Sequence, residues 1–173
     1  MSTERRLLKI IRGITIFYIL SLVFWGITAF PLLWELRIAY WFLEKTPDTL
    51  PVIFIDLKNW VIYVYHGLSE TYANFPFLAY GTDWLAFSHL VIAVAFLGVY
   101  FKPIRNIWIV YFGMIACAGI IPLALICGHI RGIPFFWQMI DMSFGVFGII
   151  PLIYLRKYIK KLEAVSGKQE YKY

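Results

Sequence analysis

Four long stretches of this chain, residues 13–34, 83–101, 107–128 and 133–155, hold no lysine, arginine or glutamate and only two aspartates. Asp83 stands at the edge of the second stretch and Asp141 inside the fourth. A backbone in hydrocarbon must satisfy every N–H and C=O within itself, which restricts a single apolar stretch of about 17–25 residues to a helix. The pattern therefore predicts an all-α integral membrane protein, a four-transmembrane up-down helix bundle. With 173 residues, 61% of them hydrophobic and 20% aromatic, the whole chain reads as one membrane domain, 1–173.

Basic residues set the expected orientation. Arg5, Arg6, Lys9 and Arg12 precede the first span; Lys102 and Arg105 separate the second from the third; Arg156, Lys157, Lys160, Lys161, Lys168 and Lys172 follow the fourth. Those twelve lie on one side, against Arg37, Lys45, Lys58 and Arg131 on the other. The positive-inside rule predicts cytoplasmic N- and C-termini in the cell's inner membrane, with residues 156–173 as a cytoplasmic basic tail along anionic lipid heads. The basic start before a long apolar run, without a small-residue cleavage site, reads as an uncleaved signal anchor. Although the net charge is +6, the cations flank spans as topology signals, so no nucleic acid is expected as a partner.

The connection over residues 35–82 is the only long one, and it is predicted to lie outside the cytoplasm. Within it Leu57, Trp60, Val61, Val64 and Leu68 recur at helical spacing, with Asn59, Tyr63, His66 and Glu70 opposite. Thr49, Leu50 and Pro51 form a start signal, so an amphipathic helix is predicted over about 51–72. The remaining loops are short, which makes successive spans antiparallel neighbours. Gly113, Cys117, Ala124 and Cys127 form a small-residue stripe on the third span, and Gly145 and Gly148 continue the face of Asp141 on the fourth. On the second span Thr82, Ala86, His89 and Ala93 share a face, and small stripes of this kind let membrane helices approach. Pro31, Pro122 and Pro151 are each expected to interrupt a span.

Chemistry is expected where charge sits at depth. A carboxylate near a helix centre costs about 2.5–3.5 kcal/mol on insertion scales, so such residues usually face the bundle interior. By residue count His89 and Asp141 lie at similar depth, and they are predicted to approach each other, as a structural pair or as proton-transfer groups. Gln138 shares the face of Asp141, while Tyr18, Ser21, Trp25 and Thr28 give the first span a mildly polar stripe. His129 and Arg131 occupy the turn before the fourth span, whose helix N-terminus favours an anionic head group. Asp83 is expected either to cap its helix or to hold Arg131. The predicted ligand-binding set is thus Asp83, His129, Arg131 and Gln138, with His89 and Asp141 catalytic if the protein is an enzyme.

His66, His89 and His129 show no i, i+3 or i, i+4 spacing, so no metal site is predicted; one would have to be gathered from His89, His129 and Asp141 across elements. Cys117 and Cys127, about 15 Å apart along one helix, cannot pair with each other. No GxSxG, HExxH, P-loop or Rossmann pattern occurs, and the sequence names no cofactor. Three functions stay open. The first is a non-catalytic accessory subunit or lipid- or small-ligand-binding protein. The second is a membrane enzyme acting on an amphipathic lipid or quinone-like substrate, and the third a proton-coupled transporter. Their partners would be the lipid bilayer with a bound lipid or quinone, subunits of a membrane complex, or a second copy of the chain.

Overall fold

The computed structural model describes residues 3–47, 49 and 51–167, and among them the chain is all-helical. Its helices are α1 (Thr3–Ala29), α2 (Leu32–Glu44), α3 (Val52–Asn74), α4 (Tyr80–Phe101), α5 (Ile107–Ile130) and α6 (Phe135–Ser166), with a 3₁₀ turn at Pro76–Ala79 leading into α4. Four segments are long and apolar enough to cross a membrane: Thr3–Ala29, Pro76–Phe101, Ile107–Ile130 and Phe135–Ser166. The protein is an integral membrane protein with the makings of a four-helix membrane bundle.

Two of these helices extend well past the apolar stretches. At a rise of about 1.5 Å per residue, the 32 residues of α6 run about 48 Å, against a hydrocarbon core of about 30 Å. The expected tail, as far as it is described, is therefore helix up to Ser166, where Gly167 takes a left-handed φ of 62°. Lys168 and Lys172 lie outside the described residues. At the other terminus α1 already starts at Thr3, so Arg5, Arg6, Lys9 and Arg12 sit on its first three turns.

Pro31 ends α1 five residues short of the expected span end at Trp34. A proline has no N–H to give to Ile27, and its ring clashes with that turn. Phe30 N–H instead closes a tighter turn onto Ile27 O (3.3 Å), and the Pro31 carbonyl accepts from Trp34 and Glu35 (2.8 and 3.1 Å) to begin α2. Residues Leu32–Glu44, expected as the end of a span and the start of a loop, are a separate helix. Pro122 and Pro151, by contrast, lie inside continuous helices.

The described chain forms two compact units. The first takes the residues of α1 through Ser21, α4 from Ile92, and all of α5 and α6. Here four helices meet. The Tyr18 and Phe96 rings lie 4.7 Å apart, the Arg12 guanidinium sits over the Tyr100 ring at 5.3 Å, and Arg156 Nε donates to Tyr111 Oη at 3.0 Å. Ile11, Thr15, Phe96, Val99, Val110, Leu152, Leu155 and Ile159 are fully enclosed.

Helices α5 and α6 approach through their glycines. A methyl group on Gly145 would lie 2.5 Å from the Cys117 carbonyl oxygen, one on Gly148 3.1 Å from Cys117 Sγ, and one on Gly113 3.0 Å from Leu152. The expected stripe thus holds at Gly113 and Cys117. It ends differently, because Gly128 is buried and Cys127 exposed.

The second unit runs from Leu22 to Val91. Its α2 and α3 pack by stacking Tyr40 on Tyr65 (4.7 Å) and Tyr40 edge-on to His66 (5.5 Å), while Lys58 Nζ donates to Thr46 O at 2.8 Å. On α3 the expected inner residues Leu57, Trp60, Val61, Val64 and Leu68 are buried or half-buried, and Asn59, Tyr63, His66 and Glu70 are exposed. Pro51 stands just before the first turn, its carbonyl accepting from Phe54 at 2.9 Å; Leu50 of the expected start signal lies outside the described residues. Trp34, Ile38, Trp41 and Phe42 on α2 are exposed, with Arg37 over Trp34 (5.6 Å) and Lys45 over Trp41 (3.5 Å). Such amphipathic ring and cation pairs suit the membrane-water interface.

Candidate functional site

The turn from α5 to α6 is built by its own hydrogen bonds. Gly132, at φ 68°, donates to His129 O (3.1 Å), and Ile133 donates back to Gly128 O (2.9 Å). This paired closure of a helix end needs a left-handed residue, which glycine supplies without steric cost. Gln138, nearly fully buried, reinforces the turn by donating from Nε2 to Ile133 O at 2.7 Å. The Gln138 side chain lies so close to Gly128 that an added Cβ there would come within 2.8 Å of it. One donor of the predicted ligand residue Gln138 is therefore already used in holding this turn.

On that fixed turn His129 and Arg131 are both exposed. Beyond it Pro134 precedes α6, and its carbonyl accepts from Trp137 and Gln138 at 2.9 and 3.1 Å. The N–H groups of the first helical turn point ahead of them toward the turn, where a helix end favours negative charge. Asp141 lies six residues into α6, about 9 Å along its axis. It is half-buried, on the side of α6 that carries Gly145 and Gly148 toward Cys117. Within its own unit, among the described residues, its carboxylate has neither a hydrogen bond nor an ion pair.

His89 and Asp83 belong to the second unit, both on α4. His89 is half-buried on the expected inner face, between buried Ala86 and Ala93, and Gly26 of α1 comes so close that an added Cβ would sit 3.1 Å from His89 Cβ and from Ala86 O. His89 Nδ1 lies 2.8 Å from Leu85 O. A carbonyl only accepts, so Nδ1 carries a proton, and in the neutral ring Nε2 is the acceptor. Asp83 does not occupy the position before the helix: α4 begins at Tyr80, prepared by the 3₁₀ turn, and Asp83 falls in its first turn. There its charge still suits the helix N-terminus.

The polar stripe of α1 offers less than its composition suggests. Ser21 donates to Phe17 O (2.9 Å) and Thr28 to Trp25 O (3.2 Å), so these hydroxyl protons are spent on their own helix, as is that of buried Thr15 beside the stripe, donated to Ile11 O (2.8 Å). Tyr18 instead reaches Cys117 Sγ at 3.8 Å. Residue type gives no signal for that contact: Cys117 stands on the small-residue stripe of α5 and Tyr18 on the polar stripe of α1. Among the described residues no three histidine, cysteine, aspartate or glutamate side chains gather as a metal site. No family model, curated protein or solved structure matches this chain.

Proposed function

We propose that the chain is a non-catalytic membrane protein, an accessory or ligand-holding component, whose polar site lies at the α5–α6 turn and takes the head of an amphipathic lipid or quinone-like molecule. The observation that carries this reading is Asp141, a half-buried carboxylate that its own unit leaves without a partner, about 9 Å along α6 from the turn presenting His129 and Arg131. A carboxylate placed so deep is costly unless something meets it. Arg131 and His129 supply positive and hydrogen-bonding groups for the head, and the first turn of α6 adds its N–H groups. Asp141 accepts a hydroxyl or amine from deeper in the ligand. The same proposal sets both termini in the cytoplasm of the inner membrane, on the strength of the twelve-to-four basic asymmetry.

Extraction of the full chain from its native membrane, followed by mass spectrometry of bound small molecules, tests the site. A stoichiometric amphipathic molecule is expected with the wild type and is expected to be lost in Asp141→Asn and Arg131→Ala at unchanged melting temperature. Full retention by a folded Asp141→Asn protein refutes it. For orientation, a reporter active only in the cytoplasm is expected to work when fused at Tyr173 and to be silent at Glu44.

A second reading, a membrane enzyme with His89 or Asp141 as a proton-transfer group, is favoured by one observation. With Nδ1 turned to the Leu85 carbonyl, the neutral His89 ring offers Nε2 as its acceptor, the arrangement a general base requires. Turnover of the extracted ligand by wild type, with binding but no turnover by His89→Gln, would favour this reading over the first.

A further inference from the structure

Helices α1 and α6 leave a groove of about 460 Å³ within the first unit, lined by Arg6, Leu7, Ile10, Tyr158, Lys161 and Val165 among others. Its place along the helices decides what can fill it. On α6 it runs from Tyr158 to Val165, beginning three residues, about 4.5 Å, beyond the end of the apolar stretch at Leu155; on α1 it ends before the apolar stretch begins at Gly13. Head groups and interface occupy roughly 5–8 Å on each side of the hydrocarbon core. The inner end of the groove, at Ile10 and Tyr158, thus lies at head-group level, and its outer end, at Thr3 and Val165, about 15 Å beyond the apolar stretches, reaches past the head groups into water.

Its cations are available. Arg6 and Lys161 are exposed, and the ion pair at this end, Lys160 Nζ to Glu163 Oε2 at 3.1 Å, uses neither. Lys161 instead lies 5.8 Å from the centre of the Tyr158 ring. Two cations beside an apolar cleft, at the depth of phosphates, match a molecule with an anionic head and an apolar shoulder. We propose that this groove is a site for one anionic phospholipid, with its phosphate on Arg6 and Lys161 and its glycerol and first methylenes running inward along Leu7, Ile10 and Tyr158. The volume falls in the range of small-molecule sites. The site is independent of the one at Asp141, which lies 20 residues, about 30 Å, away along α6.

The full chain in mild detergent, titrated with phosphatidylglycerol or with phosphatidylcholine of the same acyl chains and read by native mass spectrometry, tests the assignment. One phosphatidylglycerol is expected to be retained at least about tenfold better than phosphatidylcholine, since each basic group near the surface contributes about 1 kcal/mol. The double variant Arg6→Ala/Lys161→Ala is expected to erase that preference, and Lys9→Ala/Lys157→Ala, an equal change of charge outside the groove, to keep it. Ile10→Trp, at the inner end of the groove, is expected to lower retention with every charge in place. Equal losses in the two double variants would reduce the effect to screened surface attraction and overturn the proposal. So would displacement by millimolar inorganic phosphate, or binding that emerges only after residues 168–173 are deleted, which would give the groove to the chain's own tail.

Discussion

The two units are almost equally apolar in sequence and quite unlike in packing. In the first, eight of the larger side chains, from Ile11 and Phe96 to Leu155 and Ile159, are wholly enclosed by α1, α4, α5 and α6. Among the described residues of the second, the buried hydrophobic ones are Val61 and Ala86, and the contacts of α2 and α3 include stacked rings and a lysine-to-carbonyl bond. Hydropathy reports where a chain tolerates hydrocarbon, and it does not report where helices close on one another. In lipid, where side chain and solvent are equally apolar, close approach depends on small residues and on shape. The first unit has Gly113, Gly145 and Gly148 at its contacts; the second has Gly26 against α4, whereas Gly67 on α3 meets nothing within 4 Å.

The largest expected effect comes from enlarging the contrast. Phe96→Ala leaves a cavity between α1, α4 and α5, against Tyr18 and Gly113. Because the unfolded chain stays in detergent, the transfer part of the loss shrinks and the lost contacts remain, so about 2 kcal/mol or more is expected. Val61→Ala in the second unit is expected to cost under about 1 kcal/mol, since its neighbours on α3 are themselves only half-buried. Thermal unfolding in one detergent, followed by near-ultraviolet circular dichroism, reads both. Equal losses would erase the distinction between the units.

Next in size is a change that adds atoms. Gly145→Ala puts a methyl 2.5 Å from the Cys117 carbonyl, a backbone group that cannot rotate away. Helices α5 and α6 must part, at about 1–3 kcal/mol. Gly67→Ala and Gly119→Ala enter open space on helices and are expected to be neutral or stabilising by up to about 1 kcal/mol. A Gly145→Ala protein as stable as the wild type would show that the glycine contact is not what joins the two helices.

Much of this contrast was legible in the residues, and the failures share a cause. The four apolar runs, the faces of α3, and the inward setting of Gly113, Cys117, Ala86 and Ala93 all follow from periodicity, which survives folding. Pro31 was read as one interruption among three, yet it alone separates two helices, while α5 and α6 pass through Pro122 and Pro151. Local sequence shows the missing N–H in each case and does not show which neighbours hold the helix straight. The basic segment shows the same limit. The run of cations from Arg156 to Lys161 suits lipid heads, and it carries no sign that Ile159 and Leu162, between and beyond them, are buried. For the candidate site, residue types pointed to Asp141, His129 and Arg131, but not to the closure of the turn by Gln138 or to the tautomer of His89, since both depend on backbone carbonyls that carry no residue-specific signal.

The smallest expected effect isolates what holds the second unit. Tyr40 is exposed at its hydroxyl, which donates to Glu44 Oε1 at 2.8 Å, while its ring stacks on Tyr65. The hydrogen bond to Glu44, with the nearby carboxylate charge, pushes the Tyr40 phenol above its usual range. A raised folded value means the bond's contribution is complete below the unfolded phenol value of about 10 and fades as pH rises through the folded one. At pH 7 the phenol is protonated in both states, so Tyr40→Phe removes the bond and leaves the stack, and no measurable shift of the unfolding midpoint is expected. A difference titration, wild type minus Tyr40→Phe followed at 295 nm, is expected to reveal one phenol ionising above the ordinary phenol value of about 10. Tyr40→Ala removes the stack as well and is expected to speed proteolysis between α2 and α3. If Tyr40→Phe opened that connection as readily as Tyr40→Ala, the hydrogen bond and not ring packing would be what joins the two helices.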